Sequence, residues 1–566
     1  MDIKTLYDAN INNITVAKNA YDTLFSAFGQ HIENWQHEVV DRLGHSEWTG
    51  TAAGHANTRI QFLGNELQAA KQELGLISKA LADAAEGIAA AQSHLISALD
   101  DAKKNKMTVA PDGGITWDKD PNSPNYAGDK AEATAKEISQ RITNALTEAD
   151  HTDQTINARL GHLATNATNG TGLDSATAKA DQAATDALSQ VPPAGTDPNS
   201  VKKWWNGLTD AQQQHMIQTE HDKIGALDGI PATARHQANL INLQHGKEDL
   251  QRQLDGLGPA PKQFLGYVKG EPVANPEYDK WKAKHDDLED KMRGVKAIED
   301  RLNTPVDADH PPTFLLGFDT KGHGHAIVAA NNPDTADNVS TYVPGTGSRL
   351  GEMGGNMDRS DRMVISANSA NGNTKTTSSI TYIGYDAPQN IIPEAADDSY
   401  AKNAEDKLRG FQDGLRATHE GKPSYNTILG HSYGTTVVGY TMRDKGLPVD
   451  NVVLIASPGV GVEHAKELGV DPSHVYVAVG DDDMIDNTPP EQASNWVSNF
   501  TNNVGYWAGT VDNPDHHLSF GRDPSNANFG AQYIPSAPGT GHSDYWEKGS
   551  PSLIGMGKAI TGAPLS

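Results

Sequence analysis

At 566 residues the chain exceeds what one hydrophobic core supports, and it should divide into roughly two to four domains. Its formal net charge of −27, from 73 acidic against 46 basic residues, excludes the basic footprint of a nucleic-acid binder. The same charge disfavours electrostatic docking of the whole chain on anionic lipid, and the lack of cysteine rules out disulfides, thiolate metal sites and cysteine nucleophiles.

Met1-Asp2-Ile3-Lys4 is not a basic region followed by an apolar run, so no ordinary cleavable leader is expected. No apolar stretch reaches the ~18 residues that a membrane-spanning helix needs. Residues 1–105 read as helical. Ile60, Leu63, Leu67, Ala70, Leu74, Ile77, Leu81, Ala84, Ile88, Ala91 and Leu95 draw one narrow apolar stripe, as in a helical hairpin. Ahead of them lies Trp48-Thr49-Gly50, between two amphipathic segments. Gly50 allows a turn, and Trp48 is expected to pack over it. These residues resemble the WXG-motif helical hairpins exported by type VII secretion systems of Gram-positive bacteria. The resemblance implies a leaderless route to the exterior or the cell surface and a WXG-type helical partner. A Tyr-x-x-x-Asp/Glu export signal is not evident after the hairpin, and a cytoplasmic location is the alternative.

Residues 106–199 begin with two short β-like halves, Val109 to Trp117, around Asp112-Gly113. A helix is predicted over 128–165, and the Ala/Thr/Gly/Pro/Ser-rich stretch after it ends in the linker-like Val191-Pro192-Pro193-Ala194-Gly195. Residues 200–312 form a further helical block, punctuated by Gly and Pro at 256–276, that prefaces or caps the C-terminal region.

From 313 to 566 the pattern changes to short β-like runs. They are Phe314–Phe318, Ala326–Ala330, Val339–Val343, Ile380–Tyr385, Thr427–Leu429, Val452–Ile455 and Val475–Val479, the later ones separated by helical segments at 398–420 and 434–445. Such alternation predicts an α/β fold, with a mainly parallel sheet flanked by helices and a long all-α region before it.

Gly430-His431-Ser432-Tyr433-Gly434 stands directly between the Thr427–Leu429 strand and the following helix. A nucleophile elbow needs that context: Ser432 in a strained turn at the strand end, with Gly430 and Gly434 letting strand and helix approach. With 54 glycines in the chain the pentapeptide alone is weak, and a glycine-rich or phosphate-binding loop is the rival reading. A serine hydroxyl needs a base and an orienting acid, which follow it in the order Ser, acid, His in this type of site. The Val475–Val479 strand runs into Asp481-Asp482-Asp483, with Asp486 close behind; one of these four is the candidate acid. His516, His517 and His542 are the candidate bases. His542, in the Gly539-Thr540-Gly541-His542 loop before the final helix, is preferred by position. An oxyanion hole needs preorganised N–H donors. Tyr433, after the nucleophile, is one; Gly345 or Thr346, in the Pro344-Gly345-Thr346-Gly347 loop, is the other.

Together these motifs resemble an actinobacterial α/β-hydrolase family of unknown function, serine esterase- or lipase-like. The matching residues are Pro344-Gly345-Thr346-Gly347, Gly384-Tyr385-Asp386-Ala387-Pro388, Gly430–Gly434, Ser457-Pro458-Gly459-Val460-Gly461, Phe529-Gly530-Ala531 and His542-Ser543-Asp544-Tyr545. Upstream, Trp204-Trp205-Asn206-Gly207-Leu208 and Ile224–Pro231 are similar to the family's helical preface. The resemblance implies Asp483 as the acid, although Met484 replaces the proline of the family's turn. It also implies a serine hydrolase acting on ester or lipid substrates through an acyl-enzyme. No metal or organic cofactor is called for. An idle hydrolase fold that binds a partner, or a secreted antibacterial effector, are the competing expectations.

Overall fold

The structure, a computed structural model, describes residues 1–390, 397–483 and 517–565. The chain forms two compact units. One is Met1–Pro192 with Lys203–Met216, the other Pro193–Lys202 with Ile217–Ser566.

The first unit is helical. Helices α1 (Ile11–Trp35) and α2 (Thr51–Lys104) form a hairpin, and α2 runs unbroken through the predicted stripe. Ala84, Ile88, Ala91 and Leu95 are buried, because α3 (Ala131–Asn169) lays Ile138, Ile142, Ala145 and Ala149 against that half of α2. Ile60, Leu63 and Leu67, toward the hairpin tip, are only partly covered. Trp48 does not pack over the turn as expected: it is 52% exposed. Glu47 at φ 52° and Gly50 at φ 102° bend the chain at the tip, so Trp48 lies in the bend itself, and Trp35 instead rests against Gly64 within the hairpin. Strands β1 (Met107–Val109) and β2 (Ile115–Trp117) pair antiparallel around the expected turn. Helix α4 (Ser175–Ala187) occupies part of the Ala/Thr/Gly/Pro/Ser-rich stretch, ahead of its linker-like end. Asp174 caps it by accepting from the Thr177 N–H at 2.9 Å. The segment with Trp204 and Trp205 packs in this unit, where the Trp204 indole N–H donates to the Ala187 carbonyl at 3.1 Å.

In the second unit, α5 (Ala232–Gly256) and α6 (Pro276–Asn303) are separated by an antiparallel pair, β3 (Phe264–Val268) and β4 (Glu271–Ala274), where the sequence pattern predicts only interrupted helix. Then come β5 (Thr313–Asp319), β6 (His325–Ala330), β7 (Asn338–Val343), α7 (Met353–Ala370), β8 (Thr377–Ile383), α8 (Ser399–Thr418) and β9 (Tyr425–His431). The rest is α9 (Tyr433–Lys445), β10 (Asn451–Ile455), β11 (Val475–Ala478), the small pair β12 (His517–Leu518) and β13 (Gly521–Arg522), β14 (Gln532–Tyr533) and α10 (Pro551–Thr561).

Among the described residues, eight strands form one sheet in the order β14-β11-β10-β9-β7-β8-β6-β5. It is parallel from β14 through β8, while β6 runs antiparallel to both β8 and β5. Every residue of β7, β8 and β10 is buried, as strands covered on both faces must be. The two-residue period divides them between two cores. Ile428, Val452 and Leu454 face Leu408, Phe411 and Leu415 of α8, whereas Leu429, Val453 and Ile455 join Met363 of α7 and Met556 and Ile560 of α10. Each fully buried aliphatic side chain contributes about 1.5–3 kcal/mol. This double cover fixes β9, and with it the residue at its C-terminal end.

Candidate active site

Ser432 stands where β9 ends and α9 begins, with φ 53° and ψ −130°. A non-glycine residue there costs on the order of 1–3 kcal/mol, so the surroundings must impose it. They do. The Ser432 N–H donates to the Ile455 carbonyl at 2.9 Å, and its carbonyl accepts from the Thr435 N–H at 2.9 Å and the Thr435 hydroxyl at 2.7 Å. The flanking glycines are steric necessities. A Cβ on Gly434 would lie 2.1 Å from the Val343 carbonyl oxygen, and one on Gly430 would lie 2.5 Å from the Thr435 Cα. Ser432 is also the N-cap of α9, whose first turn presents the positive end of the helix dipole.

Of the neighbouring aspartates the structure describes, Asp483 is buried and Asp481 and Asp482 are exposed. The Nδ1 of His542 lies 2.8 Å from Asp483 Oδ1. A carboxylate oxygen only accepts, so the imidazole carries a proton on Nδ1. The other Asp483 oxygen accepts from the Tyr545 hydroxyl at 2.6 Å, and that hydroxyl also accepts from the Gly480 N–H at 2.7 Å. Asp481 instead accepts from the Gly539 N–H at 2.8 Å and so tethers the loop that carries His542. Asp486 and His516 lie outside the described residues. His517 is drawn to another acid, its Nε2 standing 2.9 Å from Glu463.

The Pro344–Gly347 loop closes over the elbow. A Cβ on Gly345 would lie 2.6 Å from the His431 carbonyl oxygen, 2.7 Å from Ser432 Cβ and 2.8 Å from the Tyr433 nitrogen. The loop backbone is therefore in contact with the elbow, beside the Tyr433 N–H, and only glycine fits at 345. Gly347 N–H donates to the Pro388 carbonyl at 2.8 Å, and the Tyr385 hydroxyl donates to the Pro344 carbonyl at 2.6 Å, which ties the loop to Gly384–Pro388. Thr346 follows in the same loop, half-buried.

Two residues of the motifs above, His431 of the elbow and Tyr545, make contacts that the sequence pattern does not assign. His431 is fully enclosed. Its Nε2 donates to the His542 carbonyl at 2.8 Å, and its ring edges onto Trp546 at 5.1 Å. Burial first, then the neighbouring His542 and Arg359, push its pKa down to about 3, so it is a neutral donor at working pH. Arg359 stacks on Trp546 at 4.5 Å and donates to the Tyr342 hydroxyl at 2.8 Å. Tyr545 is the second; it follows His542 in Asp544-Tyr545-Trp546, but nothing local points its hydroxyl at Asp483. Among the described residues no group of His, Asp and Glu could hold a metal ion, and no helix is long and apolar enough to cross a membrane.

Residues 319–493 match the family described as Alpha/beta hydrolase. An uncharacterized protein of Mycobacterium tuberculosis is 28% identical over 451 residues, covering 77% of this chain and 65% of that protein's length. An uncharacterized protein of Mycobacterium bovis is 32% identical over 211 residues, 36% of this chain and 77% of that protein. Among solved structures, esterase LipW from Mycobacterium marinum is 12% identical, covering 48% of this chain and 87% of that one, with a TM-score of 0.28. A putative esterase from Staphylococcus aureus is 11% identical over 49% of this chain and 91% of that one, with a TM-score of 0.24.

Proposed function

This chain belongs to the alpha/beta hydrolase family, and from that premise we propose that it is a serine hydrolase that cleaves carboxylic esters through an acyl-enzyme on Ser432. The observation that carries the reading is the 2.8 Å bond from His542 to the buried Asp483, in the same unit as a serine held at φ 53°. In this reading His542 Nε2 takes the Ser432 proton as Oγ attacks the ester carbonyl. The oxyanion that forms is met by N–H groups of Tyr433 and of Gly345 or Thr346. Collapse expels the alcohol, which takes the proton from His542, and water then repeats the sequence to release the acid and free Ser432. Asp483 keeps the imidazole in the Nδ1–H tautomer, and Tyr545 keeps Asp483 in place. No step calls for a metal or an organic cofactor.

A fluorophosphonate probe should label the wild-type chain and leave Ser432→Ala unlabelled, with hydrolysis of short p-nitrophenyl esters lost in parallel. Equal labelling of the two would remove Ser432 from the reaction.

The helical unit supports a second part of the proposal. Leu24, Phe25, Trp48 and Phe62 of the α1–α2 hairpin are exposed. That is the surface a WXG-type helical partner would cover, and it fits a type VII-linked route to the exterior or the cell surface. Co-expression with candidate small helical-hairpin proteins, followed by co-purification that Trp48→Ala weakens, tests it.

A further inference from the structure

Every residue from Lys262 to Ala274 is exposed, and the β3–β4 hairpin they form carries large apolar side chains in the open. Leu265 is 68% exposed, Tyr267 70% and Val268 63%, with Phe264 and Val273 also exposed. Soluble proteins scatter single apolar residues over their surface, but five large ones gathered on one projecting hairpin mark a docking surface. A two-stranded hairpin by itself is marginal in water, so its apolar composition is not there to build a core. It is held by its ends. Asn275 donates to the Lys262 carbonyl at 2.6 Å, and Lys269-Gly270, both at positive φ, close the tight turn.

The register decides what can cover it. Phe264 and Tyr267 share one face, their rings 6.3 Å apart, with Pro272 opposite Tyr267; Val268 and Val273 lie on the other. Both faces thus carry apolar side chains, with Glu271 opposite Val268 the one acid among them, and a partner with one flat surface would cover only half. Strand addition is blocked on both edges, since Pro272 removes a donor from β4 and β3 is irregular between Phe264 and Gly266. A lipid interface can receive the hairpin lying along it, with the charged Lys269-Gly270-Glu271 turn left among the headgroups, and asks for no backbone pairing. The charges agree: residues 258–275 hold Lys262 and Lys269 against Glu271 alone, in a chain of net charge −27. A lysine at each end of the apolar run can reach headgroup phosphates while its own stem lies along the apolar surface. We propose that the β3–β4 hairpin is a membrane-docking finger, seated at the interface of a phospholipid bilayer and driven by apolar insertion more than by charge.

The test is flotation of the full chain with phosphatidylcholine vesicles, with and without phosphatidylglycerol. It is run on the Ser432→Ala protein, so that the result is independent of whether the chain is an ester hydrolase. Bound protein should fall at least tenfold in the triple variant Leu265→Ser, Tyr267→Ser, Val268→Ser and severalfold in Lys262→Glu, Lys269→Glu, with unchanged circular dichroism and melting. Failure of the parent to float, or equal flotation of the triple variant, overturns the proposal. So does a concentration-dependent dimer that the triple variant abolishes, since a second copy would then be the occupant.

Discussion

The buried imidazole of His431 donates from Nε2 to the main-chain carbonyl of His542 at 2.8 Å. One residue of the elbow thereby holds the backbone of the loop that carries His542, and Ser432 is its immediate neighbour in sequence. The bond spans 111 positions along the chain and couples the end of β9 to the loop before α10.

That coupling predicts a graded response at His431. His431→Phe removes the donor and leaves the His542 carbonyl unpaired, at a net cost of about 1 kcal/mol. Displacing the base by a fraction of an ångström to an ångström should lower kcat by up to about 10²-fold. His431→Gln, whose amide can donate at a similar reach, should recover part of the loss. Steady-state kinetics on a soluble ester decide it, and equal kcat in all three proteins would leave His431 a packing residue only.

Acid should weaken the fold through the same residue. The His431 pKa lies at about 3 when folded, against 6.5 when free, and the groups facing it are His542, Arg359 and Asp483. Between these two values the unfolded chain binds a proton that the folded chain refuses, so stability falls as pH falls through the window and is fully present above 6.5. Urea midpoints measured at about pH 7 and about pH 4.5 should show a steeper drop for the wild type than for His431→Phe. Parallel drops would assign acid sensitivity to other groups.

Much of the α/β unit is legible in the sequence because its strands are covered on both faces and read as apolar runs. The seven runs from Phe314 to Val479 each fall on a strand. Helix α7 is not legible: Met353-Gly354-Gly355 opens it with weak helix formers, and its buried face is made of Met, Ser, Asn and Asp as well as Val and Ala. The β3–β4 hairpin escapes because its apolar residues answer to no core, so neither a strand nor a helix period stands out. In the proposed site, the choice of Ser432 and His542 rests on local context and chain order. The choice among Asp481, Asp482 and Asp483 does not, since it rests on which carboxylate turns inward. Tyr545 and His431 act through contacts distant in sequence, which no local pattern encodes.

The three aspartates should separate cleanly under mutation. Asp483→Asn keeps the shape but can favour the wrong His542 tautomer, and kcat should fall by on the order of 10⁴-fold. Asp482→Asn should be near neutral. Asp481→Asn weakens a single bond to Gly539 and should cost at most a few-fold. Tyr545→Phe leaves Asp483 Oδ2 without that hydroxyl donor and should cost about 1.5–3 kcal/mol of stability, as for other hydrogen bonds to a charged group. Kinetics paired with melting curves assign each role, and a larger loss of kcat in Asp482→Asn than in Asp483→Asn would move the acid.

Gly345 is the most demanding position of the loop proposed to bind the oxyanion. Alanine there would place its Cβ 2.7 Å from Ser432 Cβ and 2.8 Å from the Tyr433 nitrogen, both backbone-fixed, so the loop itself must retreat. Overpacking of this kind costs about 1–3 kcal/mol in stability. The retreat also carries the loop's N–H donor away from the developing oxyanion, and losing one such donor lowers kcat by about 10²–10³-fold. Gly345→Ala should therefore still fold and still react with a fluorophosphonate, though more slowly, while ester turnover nearly vanishes. Gly347→Ala makes a useful contrast. Its φ of 80° strains an alanine, but a Cβ there meets nothing within 4 Å, so stability should fall with a much smaller loss of kcat. If both variants lose turnover equally, the loop acts through its overall shape and not through a donor at 345 or 346.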